Sequence, residues 1–290
     1  MATRPEFVTF DVDGAALGAL HWPGIDGAPT VVAVHGITAN AWAWDPIAHH
    51  LAGGADLVAV DLRGRGRSHT SGGPFGIRRH ADDVAAIIEQ LGGPVVVAGH
   101  SMGAYVALMA AERHPALVKD LVLVDGGAPL ELPDDADVDE VLEATLGPAI
   151  ERLGKLWVDR TSYYSMWSAH PAFADGISVD LERNLLADLV EVDGGFRTAV
   201  DVDAVRHDGR ELFADIEVRS LLETHPAPVT IIRAPHGLLG TPPPLISDDV
   251  VARHTRHRWV EVPDTNHYTV LLGPRGGPVV ADHVRIAIAS

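Results

Sequence analysis

Apolar residues fall along this chain in two rhythms. Thr30 to Val34 (TVVAV), Asp56 to Val60 (DLVAV), Val95 to Ala98 (VVVA) and Leu121 to Val124 (LVLV) are short, nearly unbroken apolar runs. Such runs describe strands buried on both faces, as in a parallel sheet. Between them, Ile77, Ala81, Val84, Ile88 and Leu91 recur at helical spacing, which predicts an amphipathic helix over 77–91. Further helices are predicted from about Trp44 to Leu51, from Ala104 to Glu112 and from Val279 to Ala289. Phe7 to Phe10 and Leu17 to Trp22 alternate around Asp13-Gly14, the signature of an antiparallel hairpin. Val229 to Ile232 and Trp259 to Val262 supply the last strands. Strands and helices in this alternation define an α/β fold, a mostly parallel central sheet with helices on both faces.

The rhythm changes at about Pro129. From there to about His225 the sequence is acidic and helix-rich, without a strong strand run, and it carries Trp157, Tyr163, Tyr164, Met166, Trp167 and Phe173. The expected organisation is a core of residues 1–128 and 226–290, with residues 129–225 inserted as a helical lid.

Composition narrows the partners. The 290 residues are 47% hydrophobic and 21% charged, enough to bury a large core, and a net charge of −18 argues against nucleic acid or an anionic membrane surface. Cysteine is absent, which removes disulfides, thiolate metal sites and cysteine nucleophiles together. The start, MATRPEFVTFDVDG, has no apolar leader, and no stretch is long and apolar enough to span a membrane. A soluble, cytoplasmic protein is therefore expected. The sixteen histidines are scattered without ligand spacing, so neither a metal nor another cofactor is expected. A homo-oligomer is left open.

Chemistry concentrates where the Val95 strand meets the next helix. Gly99-His100-Ser101-Met102-Gly103 is a G-x-S-x-G with a strand before it and a helix after it, the context of a nucleophile elbow. The tight turn demands small residues two positions either side of Ser101 and lifts its hydroxyl at the positive end of a helix. A serine that merely caps the helix is the plainer alternative. A serine nucleophile needs a base, and the base needs an orienting acceptor. His267 is the base candidate, because its loop, between the last strand and the last helix, reaches the sheet edge where Ser101 emerges.

With the His35-Gly36 loop, the Asp61-to-Ser68 loop, the Ser101 elbow and a histidine before the last helix, the chain resembles the α/β-hydrolase superfamily across essentially its whole sheet portion. The resemblance implies that Ile37, after the His-Gly pair, and Met102, after the nucleophile, supply the oxyanion-hole amides. Two backbone N–H groups aimed at a developing oxyanion stabilise it. The acid departs from the commoner pattern. Many relatives carry an Asp in the loop after the strand that follows the lid, and here that loop, Arg233 to Gly240, holds no carboxylate. Asp125, ending the strand after the elbow, stands where some branches carry their acid and keeps the chain order Ser101, Asp125, His267. It can also be read as a turn former before Gly126-Gly127. Asp248 and Asp249 compete, with helix capping after Ser247 as their plainer role. Asp264 stands too close in sequence to His267 to face its ring.

His35 is expected to brace the oxyanion loop and His100 to fill a packing position. Arg63, Arg65 and Arg67 are expected to tie their own loop down rather than to bind an anion. Trp157, Tyr163, Tyr164 and Trp167 would roof Ser101 if a lid helix faces it, with Trp42 and Trp44 as the opposite wall. Each also reads as glue between lid and core. An apolar, aromatic pocket suits a hydrophobic small-molecule substrate. The implied function is serine hydrolysis of a carboxylic ester or lactone through an acyl-enzyme. The same triad serves C–C bond hydrolysis of a diketone, and some non-catalytic receptors on this fold keep it.

Overall fold

Each buried run divides its side chains between two cores. In the Thr30–Val34 strand, Val32 and Val34 enter one apolar cluster while Val31 and Ala33 enter another. Val95 and Val97 likewise face the first cluster, and Val96 and Ala98 the second. Both faces are dry, which is why these runs read as continuous rather than alternating.

The computed structural model describes residues 4–130 and 136–290. Among the described residues the strands are β1 (Glu6–Val12), β2 (Ala15–Trp22), β3 (Thr30–Val34), β4 (Asp56–Val60), β5 (Val95–His100), β6 (Val118–Val124), β7 (Leu189–Val192), β8 (Gly195–Thr198), β9 (Thr230–Arg233) and β10 (Arg258–Glu261). Eight of them form one sheet in the order β1-β2-β4-β3-β5-β6-β9-β10, antiparallel through the first three and parallel from β4 onward. β5 lies between β3 and β6, so the loops leaving all three emerge side by side at one edge. Ligands of open parallel sheets bind at such an edge.

The Ile77–Leu91 and Met102–Arg113 helices cover the first core, and the Asp45–Leu51 and Gly276–Ala289 helices cover the second. Among the described residues no helix is long and apolar enough to cross a membrane.

Residues 136–225 carry five α-helices, Val138–Gly154, Arg160–Ser168, Val179–Leu186, Val202–Ala214 and Ile216–Thr224. They also hold a hairpin of β7 and β8 that the hydropathy pattern did not announce. Its strands are only four residues long, and Glu191 and Arg197 interrupt their apolar character. The local signal was the Asp193-Gly194 turn, where Gly194 adopts a φ of 83°. Short bridges extend this hairpin to Trp157 on one side and join Val200 to Arg65 of the core on the other.

Side chains fasten this region further. The Ile77–Leu91 helix has no side-chain cap of its own. Its first N–H groups are taken from outside: Asp208 Oδ1 accepts from Gly76 N–H at 2.8 Å and Glu211 Oε2 from Ile77 N–H at 2.7 Å. Asp208 Oδ2 also pairs with Arg65 Nη1 at 2.6 Å and His80 Nε2 at 2.9 Å, all three side chains being fully buried. Burial alone would raise the Asp208 pKa, but His80 and Arg65 hold it well below the usual carboxylate range.

Candidate active site

Ser101 sits between β5 and the Met102–Arg113 helix with φ 56° and ψ −122°, a conformation that costs a non-glycine residue on the order of 1–3 kcal/mol. The neighbours make it unavoidable. A Cβ on Gly99 would lie 2.2 Å from the Gly103 carbonyl oxygen, and one on Gly103 equally close to the carbonyl oxygen of Val34. The Ser101 side chain is half-buried, and among the described residues its hydroxyl makes no hydrogen bond. It is not the helix's capping acceptor, the plainer role open to it in the sequence.

Across the β5–β6 pair, Asp125 ends its strand at a φ of 44° with its carboxylate fully buried. Its Oδ2 accepts from His267 Nδ1–H at 2.8 Å, and its Oδ1 from the Ala234 N–H at 3.1 Å. That second donor comes from the carboxylate-free loop after β9. With Nδ1 as donor, His267 keeps Nε2, on the opposite edge of the ring, as an acceptor. The competing carboxylates lie elsewhere: Asp248 pairs with Arg233 at the surface, Asp249 lies exposed in the first turn of its helix, and Asp264 pairs with Arg275.

The oxyanion loop is held from several sides. A Cβ on Gly36 would lie 3.1 Å from Ser101 Cβ, so the backbone leading into Ile37 abuts the nucleophile candidate. Met102 N–H opens a helix and has no intrahelical acceptor. His35 donates from Nδ1 to the Gly36 carbonyl at 2.7 Å and accepts the Leu62 N–H at Nε2. Burial lowers its pKa to about 3, so the ring is neutral. Arg65 Nε donates to the Ile37 carbonyl at 3.0 Å. Asp61 accepts the N–H groups of Ala41 and Arg67, joining this loop to the Arg-rich one, and burial pushes its pKa up to about 6. Arg63 pairs with Asp83, while the Arg67 guanidinium stacks over Phe7.

His100 does more than fill space. Its Nε2–H donates to the His267 carbonyl at 2.9 Å, and the two rings lie 4.8 Å apart. Burial, then the neighbouring His267, lowers its pKa to about 3. Asn266 pins the same loop, donating to the Ala172 carbonyl and accepting the N–H groups of Tyr268 and Thr269.

The aromatic residues of the cap divide. Trp167 packs edge-on to Tyr268 at 6.0 Å, and Tyr268 in turn lies 5.6 Å from the His267 ring. Tyr163 is fully buried, its hydroxyl donating to Asp188 Oδ2 and accepting from Arg152 Nη1. Trp157 packs on Tyr163 and under Lys155, both within the same inserted region. Tyr164 is half-buried and makes no ring contact among the described residues. Trp42 packs on Phe7 and Trp22 and lines a cavity of about 950 Å³ whose walls include none of Ser101, Asp125 or His267, so it does not form the opposite wall expected of it. Trp44 is buried in the second core.

One link had no sequence signal. Asn40, on the oxyanion loop, donates through Nδ2 to Asp188 Oδ1, so the loop and the cap share a fully enclosed carboxylate. Burial pushes the Asp188 pKa up to about 6 despite Arg152 nearby.

The strand order, the strained serine at the sheet edge and the buried aspartate–histidine pair together describe an α/β hydrolase. The family model for the alpha/beta hydrolase fold matches residues 29–161. A pimeloyl-[acyl-carrier protein] methyl ester esterase of Neisseria meningitidis is 31% identical over 68% of this chain and 74% of its own length. The chain belongs to the α/β-hydrolase family. It is 39% identical to a lipase, LipV, of Mycobacterium tuberculosis over 42% of this chain, a match that spans only 46% of the lipase. A 2-(acetamidomethylene)succinate hydrolase of Mesorhizobium japonicum is 28% identical over 85% of this chain and 84% of its own. The crystal structure titled E-2-(Acetamidomethylene)succinate Hydrolase superposes over 99% of this chain and 100% of that one with a TM-score of 0.81 at 24% identity, a likeness of fold.

Proposed function

We propose that this chain is a serine hydrolase that cleaves the acyl bond of a carboxylic ester or lactone through an acyl-enzyme. The observation that carries the reading is the 2.8 Å bond from the His267 ring to buried Asp125, beside a serine held at a strained elbow. Ser101 Oγ bonds to the acyl carbon as its proton passes to His267 Nε2, and Asp125 stabilises the imidazolium so formed. The carbonyl oxygen takes up the negative charge, facing the N–H groups of Ile37 and Met102, each worth about 3 kcal/mol of transition-state stabilisation. Collapse expels the alcohol, which takes the proton from His267. Water then attacks the acyl-enzyme by the same proton route and releases the acid and free Ser101.

Relatives named esterase and lipase support the ester reading. A second reading, hydrolysis of an amide, is favoured by the relative matched along most of the chain, whose named substrate holds an acetamido group.

The test is turnover of p-nitrophenyl esters, lactones, diketones and N-acyl compounds by the chain and by Ser101→Ala. Ester cleavage abolished by the substitution is expected. A folded protein that is labelled at Ser101 by an organophosphonate yet turns over none of these would instead be a receptor on this fold.

A further inference from the structure

Residues 136–225 hold a cation two aromatic rings away from His267 that forms no direct ion pair among the described residues. Arg152, half-buried on the Val138–Gly154 helix, makes no ion pair among the described residues. Its guanidinium lies 4.8 Å over the Trp167 ring and donates once, from Nη1 to the Tyr163 hydroxyl at 3.1 Å. Its field reaches His170, Asp188 and Tyr268. The route from Arg152 to His267 runs through just two rings, Trp167 and Tyr268.

Other donors nearby are also unmatched. The Trp167 indole N–H is buried beside a single weak acceptor, the Tyr163 hydroxyl, which is already engaged with Asp188 and Arg152. Among the described residues the Tyr268 hydroxyl has no hydrogen-bond partner either, although its surroundings are dry enough to raise its pKa. A guanidinium presents five N–H donors in a fixed fork, and leaving most of them unused beside an aromatic wall is costly unless something that accepts arrives. Asp188 accepts from Asn40 and Tyr163 and feels the Arg152 charge, but among the described residues it makes no direct ion pair with the guanidinium. The Arg152 fork, with no carboxylate bonded to it among the described residues, matches the two oxygen atoms of a carboxylate.

We propose that Arg152 binds a carboxylate of the substrate, so that the chain acts on acyl compounds bearing a negative charge a short spacer away from the bond that is cleaved. The inference rests on Ser101 and His267 being the reacting pair, and it replaces the purely hydrophobic substrate expected from the aromatic residues alone. The aromatic rings then flank the spacer while the guanidinium fixes its far end. A cation at a defined distance selects by charge and by length together.

The experiment compares monomethyl and dimethyl esters of a series of straight-chain diacids, for the unmodified chain, Arg152→Gln and Arg152→Lys. The unmodified chain should prefer the monoester of one chain length by at least ~10-fold in kcat/KM, since a charged site rejects the neutral analogue. Arg152→Gln should abolish that preference, mainly through KM, by losing at least ~10-fold more on the monoester than on the dimethyl ester, with Arg152→Lys retaining part of it. Equal loss on both esters in Arg152→Gln would mark the residue as cap packing only, and a preference for the diester in the unmodified chain would overturn the proposal. Direct binding separates this from the hydrolase reading. The free diacid should raise the Tm of Ser101→Ala, and should fail to do so once Arg152→Gln is added. If no ester is cleaved but this diacid effect holds, the anion site stands and the hydrolase reading falls. If Arg152→Gln does not fold, the monoester preference of the unmodified chain, its reduction in Arg152→Lys and the diacid shift decide the matter.

Discussion

The sheet edge around Ser101 and the helical region of residues 136–225 are held in place by different means. At the edge, backbone dictates position: Gly99 and Gly103 leave no room for a Cβ, and Ser101 and Asp125 both sit at positive φ at the ends of adjacent strands. In the cap, position depends on side chains that meet across long separations, as in Asn40 to Asp188, Tyr163 to Asp188 and Arg65 to Asp208. A backbone-determined site tolerates few residue types and varies little. An arrangement held by side-chain pairs can be re-tuned one pair at a time.

The contrast can be broken most forcefully at the elbow. Gly99→Val should remove the folded protein from the soluble fraction, because no rotamer relieves a contact with backbone, and the cost should exceed ~4 kcal/mol. A variant that melts like the parent would show slack in the turn. Next, Asp125→Asn should lower kcat by about 10³–10⁴-fold with little loss of stability, read by steady-state kinetics on any ester that is turned over. Unchanged kinetics would remove Asp125 from the catalytic role.

On the cap side, Asp208→Asn leaves Arg65 buried without its ion pair and should cost about 3–5 kcal/mol in urea unfolding. Its effect on kcat should stay within ~3-fold, since Asp208 touches none of the reacting groups. The pH response sharpens the comparison more gently. His35 and His100 fall from 6.5 to about 3 on folding, so the stability they contribute is complete above pH 6.5 and is lost as pH drops toward 3. Asp61 and Asp188 rise from 3.8 to about 6, so theirs is complete below 3.8 and is lost as pH rises through 6. From pH 7 to 5 each histidine removes on the order of 2 kcal/mol, partly offset by the carboxyls. Asp188→Asn deletes one offset and should make the decline steeper by about 1 kcal/mol; an unchanged slope would mean that Asp188 is ionised throughout. The smallest effect belongs to Asp248→Asn, a surface pair worth at most ~1 kcal/mol, which should leave kcat within about 2-fold.

The difference between the regions also explains what could be read from the sequence. The elbow occupies a few consecutive residues under a local steric rule, so motif and position pointed to Ser101 and His267, the family resemblance pointed to Ile37 and Met102, and Asp125 was favoured beside Asp248 and Asp249. Asn266, adjacent to His267, was within reach as a loop-pinning residue. Asp188 and Arg152 were not, because nothing beside them in sequence distinguishes a buried carboxylate or an unpaired guanidinium from the many charges of an acidic surface. The β7–β8 hairpin was lost for a different reason: at four residues a strand, its Asp-Gly turn was a stronger signal than its hydropathy. His100 looked like filler because a side chain that clamps another loop's carbonyl leaves no trace in spacing.

The borrowed capping of the Ile77–Leu91 helix has a practical consequence for anyone wishing to exchange cap segments between relatives. A graft cut at residues 129 and 225 would strip the helix start of both its acceptors and leave Arg65 and His80 without Asp208. The Val202–Ala214 helix must travel with the recipient scaffold rather than with the donor insert, so the useful cut for transplanting selectivity falls ahead of Val202.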